Sequence, residues 1–300
     1  MASLGITHKE KLRWIFHGPQ GLRAGWSILI FAALLAPAVF IANIVMRHLP
    51  SLRKGEIALG DSFIFEAVQL VAILGAMAIM ARIEGRNVWS YYGLAGRRPI
   101  AKFLFGLAGG LVCLSLVVGA LNAGGYLVFD GRALQGLAAL GYGLVWLLDF
   151  MIVGIREEAL FRGFLQATLT RGIGFWPAAI FLSILFGAGH LPNAGENVTG
   201  IIGVMVHALF YCLLLRLSGS LWLGIGFHAA WDWAQSYLYG TPQSGHLMQG
   251  HLLVTHASGD ALMSGGSAGP EGSLLGLPVQ AIGLVVFLWA AKRAGLFFRG

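Results

Sequence analysis

Eight times between Gly25 and Lys292 the sequence runs apolar for close to the length that crosses a bilayer, at roughly 25–46, 62–82, 103–122, 137–170, 174–190, 200–217, 220–238 and 277–292. In hydrocarbon every backbone N–H and C=O must be satisfied within the chain, so a succession of such runs folds as helices. A mean hydropathy of +0.75, with 57% hydrophobic and 11% charged residues, excludes a soluble domain of this length. The expected fold class is all-α: a polytopic integral membrane protein of about eight transmembrane helices. No internal repeat stands out, so an inverted-repeat transporter is not suggested.

The net charge of +7 would point to nucleic acid in a soluble chain. Here most Lys and Arg fall between apolar runs, where they act as topology signals, and nucleic acid is excluded as a partner. With the N-terminus inside, the inner face collects the basic N-terminal segment, Arg82, Arg86, Arg97, Arg98, Lys102, Arg171, Arg216, Lys292, Arg293 and Arg299. The outer face receives only Arg47, Arg53, Lys54 and Arg132. This bias predicts both termini in the cytoplasm and a multi-pass place in the inner (plasma) membrane.

The chain divides into five regions. Residues 1–24, with Lys9, Lys11, Arg13 and Arg23 among apolar residues, form a basic amphipathic segment that reads as an interfacial helix broken at Gly18-Pro19. Residues 25–136 hold the N-terminal transmembrane helices, 137–238 a core, 239–276 a flexible external loop without Lys or Arg, and 277–300 the last helix and a basic tail. The first apolar run is too long and starts too late for a cleaved signal. Cys113 and Cys212 both sit inside apolar runs and make no disulfide framework. In the loop, His246, His251 and His256 recur every five residues in Gly-rich sequence, which reads as a flexible segment rather than a metal site. Lone intramembrane polar residues such as Glu66, Gln69, Asp149 and His207 are expected to make interhelical hydrogen bonds.

Within the fourth run stands Glu157-Glu158-Ala159-Leu160-Phe161-Arg162. Ionisable groups in such a run are costly and point to function. Glu158 and Arg162 are spaced i,i+4 and can pair. Glu157, about 100° round the helix from Glu158, is left without a partner in its own helix and is the candidate general base. Later runs add Phe186-Gly187-Ala188-Gly189-His190, and His228-Ala229-Ala230-Trp231-Asp232, with an imidazole and a carboxylate on one face. If the fourth helix continues through Glu157 to about Thr170, helical rise brings Glu157 and His190 to similar depths, roughly 20 Å from the inner turn, with His228 and Asp232 within reach. Two mechanisms suit such a group. Either Glu157 takes a proton from water while His190, His228 and Asp232 position it and stabilise an oxyanion, or His190, His228 and a carboxylate bind Zn²⁺ and its bound water attacks. Both hydrolyse a peptide bond.

The order EExxxR, FxxxH and HxxxN/D, each on its own apolar run, resembles the CPBP family of intramembrane proteases, which includes the CAAX prenyl endopeptidases and bacteriocin-processing and immunity proteins. Here the motifs are Glu157-Glu158-x-x-x-Arg162, Phe186-x-x-x-His190 and His228-x-x-x-Asp232, and the resemblance covers residues 137–238. It implies an intramembrane endopeptidase acting on a membrane-associated protein or peptide. Glu157 would activate water, His190 and His228 would position it and the oxyanion, and Glu158 and Arg162 would support the site. Asp232 stands where the eukaryotic CAAX enzymes carry Asn, which favours holding water through His228, or metal binding, over a neutral amide donor. The family has been described both with and without metal. The cofactor expectation is therefore none required, or zinc held by His190, His228, Asp232 and Glu157. The alternative reading is a catalytically silent immunity or scaffold protein of the same fold.

Overall fold

The computed structural model describes residues 14–49, 56–193, 195–243 and 245–298, and each of the eight apolar runs is helical in it. The helices are α1 (Ala24–His48), α2 (Leu59–Ile83), α3 (Pro99–Ala123), α4 (Gly136–Ile173), α5 (Phe175–His190), α6 (Val198–Ser218), α7 (Trp222–Trp233) and α8 (Gly276–Arg293). Local chemistry sets several ends. The Asn197 side chain caps α6 by accepting from Gly200 N at 2.8 Å, Gly219 closes it at φ 62°, and Gly174 at φ 84° turns α4 into α5.

Five of these helices, α1 to α4 and α6, are long and apolar enough to cross a membrane, which makes the chain a polytopic helical membrane protein. The other three apolar runs do not reach that standard, for different reasons. Helix α5 has 16 residues, a rise of about 24 Å against a hydrocarbon thickness of about 30 Å. Helix α7 is 12 residues long and sheathed by its neighbours, so its apolar character belongs to the protein core. Helix α8 ends in Lys292 and Arg293 and carries the buried Gln280.

The two ends of the described chain open on one face. Ala24 lies beside Gly172, Arg216 stacks on Phe175, and Phe298 N donates to Leu217 O at 2.9 Å. Residues 1–13, most of the basic N-terminal segment, lie outside the described residues. Beyond them, the break expected at Gly18-Pro19 is a tight antiparallel turn between β1 (His17–Gly18) and β2 (Gly21–Leu22).

The stretch 239–276, expected as a flexible loop, is built instead of strands and packed turns. Strand β5 (Leu247–Met248) pairs in parallel with β3 (Glu56–Ile57), and β6 (Leu253–Ala257) pairs antiparallel with β4 (Leu127–Arg132). Further bonds tie it down: Trp146 Nε1 donates to Gln249 O at 2.9 Å, Leu252 N to Tyr237 O at 2.7 Å, and Ser236 Oγ to Gln243 Oε1 at 2.7 Å. Its glycines serve as turn residues rather than as a flexible tether: Gly240, Gly250 and Gly265 all have positive φ, and a Cβ on any of them would strike a neighbour. His251 and His256 are spent on Met248 O and Asp130.

The largest apolar cluster joins α3, α6, α7 and α8 through Leu114, Leu121, Phe210, Tyr211, Phe227 and Phe287. A second joins α1 and α2 to the turn of α4 that follows the two glutamates, through Phe31, Met77, Met80 and Phe164. The space between these clusters holds the polar residues of α4, α5 and α7.

Candidate active site

Helix α4 runs unbroken from Gly136 to Ile173, so Glu157 and Glu158 lie inside it. Immediately after them, Ala159–Leu165 winds as a π-helix, and α7 likewise passes into a π turn at Ala234–Leu238 just beyond Asp232. Such wider turns insert a residue into the helical register and re-aim the side chains around them. The Ala159–Leu165 turn keeps the ion pair between Arg162 Nη1 and Glu158 Oε1 at 3.2 Å, with both side chains buried.

Arg162 ties the three motifs together. Its guanidinium lies 4.8 Å from the Phe186 ring and 5.1 Å from the Tyr211 ring, and it donates to Ala208 O at 3.1 Å. Tyr211 in turn stacks on His228, with centroids 5.1 Å apart and planes 12° apart. One buried cation therefore holds α5, α6 and, through Tyr211, α7 against α4.

Glu157, His190, His228 and Asp232 line one cavity of about 560 Å³. His228 lies between carboxylates: Nδ1 donates to Glu158 Oε1 at 3.1 Å, while Nε2 is 3.4 Å from Asp232 Oδ2 and 3.6 Å from Glu157 Oε2. With Nδ1 protonated, Nε2 and the two carboxylates are three acceptors facing one another unless a proton sits among them. His190 is fixed differently. A carbonyl can only accept, so the 2.8 Å contact with Phe186 O places a proton on Nδ1 and leaves Nε2 of the neutral ring as an acceptor.

Glu157 does have a partner in its own helix, contrary to expectation. Arg156 Nη2 donates to Glu157 Oε1 at 2.8 Å, and Arg156 Nε meets Glu66 Oε2 of α2 at 2.5 Å. Helical rotation separates residues 156 and 157, but the long arginine side chain spans that angle once Glu66 draws it to this side. The premise of an unneutralised acid therefore falls, and one cation serves two carboxylates. Glu66, expected to be a helix-joining residue, does join helices and lines the cavity as well. Asp149 accepts from Ser62 Oγ at 2.7 Å, and His207 pairs with Gln280 Nε2 at 2.9 Å.

Among the described residues no three His, Cys, Asp or Glu side chains are grouped to hold a metal ion, so the four residues expected to hold zinc are not gathered as a zinc site.

Tyr211, Gln243 and Glu271, none of them nominated from sequence, also line the cavity. Tyr211 is an aromatic in an apolar helix and carries no signal of its own. Gln243 and Glu271 belong to the stretch read as an external loop, although Glu271 is its one buried acid.

Residues 139–234, the part of the chain that carries all three motifs, match the family described as type II CAAX prenyl endopeptidase, Rce1-like. This segment is similar to an Rce1-like domain. It lies within the CPBP resemblance seen in the motifs, and the family it resembles is one of CAAX prenyl endopeptidases. The matched segment begins at the fourth residue of α4 and ends at Ala234, where α7 passes into its π turn. It therefore includes every polar side chain of α4, α5 and α7 that lines the cavity: Arg156, Glu157, His190, His228 and Asp232. The roof at 239–276 lies beyond it. No curated protein matches the chain.

Proposed function

We propose that the chain is an intramembrane endopeptidase that hydrolyses a peptide bond of a membrane-associated protein or peptide, with Glu157 activating the water. The observation that carries this reading is the convergence of Glu157, His190, His228 and Asp232 on one cavity within a protease-family segment. His190 Nε2, with Nδ1 occupied by Phe186 O, accepts a hydrogen from the attacking water. Glu157 takes the other proton through a carboxylate oxygen not held by Arg156, and the water oxygen adds to the carbonyl carbon. The N–H of His228 at Nε2, held by Asp232, donates to the oxyanion. The proton on Glu157 then passes to the leaving nitrogen as the C–N bond breaks, returning the carboxylate. Glu158 and Arg162 position His228 and touch no substrate.

A comparison of membrane peptides in cells carrying the native chain or Glu157→Gln tests this reading. The variant should accumulate uncleaved substrate, and turnover of that substrate by purified protein should fall by roughly 10²–10⁴. Full cleavage by a folded Glu157→Gln protein would remove the proposed base. An intact phenotype in both Glu157→Gln and His190→Ala would instead favour a silent immunity or scaffold protein.

A further inference from the structure

On the face where the described chain ends meet, Arg97, Arg98, Lys102 and Arg293 line a second cavity, of about 500 Å³. Among the described residues no carboxylate lines it. Lys102 is buried there, and its ammonium donates to Ser218 O at 2.7 Å. The N-terminus of α3, a 25-residue helix, opens at the same place and adds positive potential.

A groove of about 600 Å³, lined almost wholly by apolar side chains, runs along the same two helices. One turn beyond Lys102 it begins at Phe105, and one turn before Arg293 it begins at Ala290, so both helices lead from the cationic cavity straight into it. Val112, Leu116, Ile282 and Val286 along its walls are more than half exposed and face outward. From Phe105 to Leu116 the rise is about 16 Å, close to one leaflet of a hydrocarbon core about 30 Å thick. Trp289, 60% exposed under the Arg293 guanidinium, and Phe298, 66% exposed, stand where the two meet, as aromatic residues do at a membrane–water boundary.

We infer that α3 and α8 form a binding site for one anionic glycerophospholipid, its phosphate among Arg97, Arg98, Lys102 and Arg293 and an acyl chain in the groove between the helices. Clustered cations at the end of transmembrane helices recognise anionic headgroups, and the adjoining groove selects a lipid over a soluble phosphate. This inference is independent of the protease reading, since neither cavity contains a residue of the candidate active site.

Native mass spectrometry of the full chain in mild detergent tests it, with phosphatidylglycerol and phosphatidylcholine of identical chains offered together. The expected result is retention of one phosphatidylglycerol, about tenfold or more preferred, and not displaced by millimolar inorganic phosphate. The triple variant Arg97→Gln, Arg98→Gln, Arg293→Gln should lose that preference, and Val286→Trp, which fills the groove, should lose the lipid while keeping the cations. Equal retention of the two lipids by the native chain would overturn the site, and that measurement needs no variant to fold. Displacement by inorganic phosphate alone would overturn the lipid and leave a soluble anion as the ligand.

Discussion

Arg156 is the residue on which the candidate site's charge balance turns. It stands between Glu66 and Glu157, and its side chain is only 15% exposed. Removing one partner of a buried ion pair costs about 3–5 kcal/mol, because the charges left behind are neither hydrated nor paired. Arg156→Met should therefore lower the thermal midpoint in detergent and reduce cleavage. Adding Glu66→Gln should recover part of the stability, which a double-mutant cycle would read as coupling. Glu157, His190, His228 and Asp232 could be nominated from sequence because residue type and helical rise are local quantities. Arg156 could not be assigned, because which carboxylates a long side chain reaches depends on where α2 packs.

At the scale of elements, α7 is held by contact between backbones. Gly106 and Gly110 of α3 face Gly226 and Phe227 of α7 so closely that a Cβ on Gly110 would lie 2.2 Å from Phe227 O. A Cβ on Gly226 would lie 2.1 Å from Phe103 O. Gly226→Ala must push the helices apart, costing about 1–3 kcal/mol, and it would move His228, two residues on. Thermal unfolding and cleavage should both report the loss. Gly119→Ala, on the same α3 but with nothing within 4 Å of its Cβ, should be neutral or slightly stabilising. The small-residue spacing in α3 was visible in the sequence, but its partner was not. The two π turns had no signature of their own, since Arg162 and Gly163, the residues that set Ala159–Leu165 apart from an ordinary apolar helix, do not by themselves specify a wider turn.

For the molecule as a whole, the ends of α1, α2 and α4 are joined by Glu84, just past α2. Arg171 donates to both of its oxygens, at 2.9 and 3.0 Å, and Ser27 donates at 2.5 Å. Burial would raise the Glu84 pKa, but the hydrogen bonds from Arg171 and Ser27 and the charges of Arg171 and Arg86 outweigh it and hold the acid below its ordinary 4.5. A carboxylate whose pKa is lowered on folding stabilises the fold at pH above its unfolded value, and that contribution disappears as pH falls through the lower, folded value. Glu84→Gln should therefore be less stable than the native chain at neutral pH, with the difference shrinking below pH 4.5 in thermal scans across pH. The helical frame was legible because hydropathy writes it directly. The roof at 239–276 was not, since its order comes from pairing with β3 and β4, far away in sequence. The cavity around Glu157 limits what can be cut. In an α-helix each backbone carbonyl is bonded within the coil and sheathed by side chains to a width of about 10–12 Å, so Glu157 and His190, which line the cavity, cannot reach a peptide bond while that coil is intact. A bilayer-spanning segment presented for cutting would have to arrive with its coil already undone, so fraying of the guest, rather than of the host, would govern which bonds are within reach.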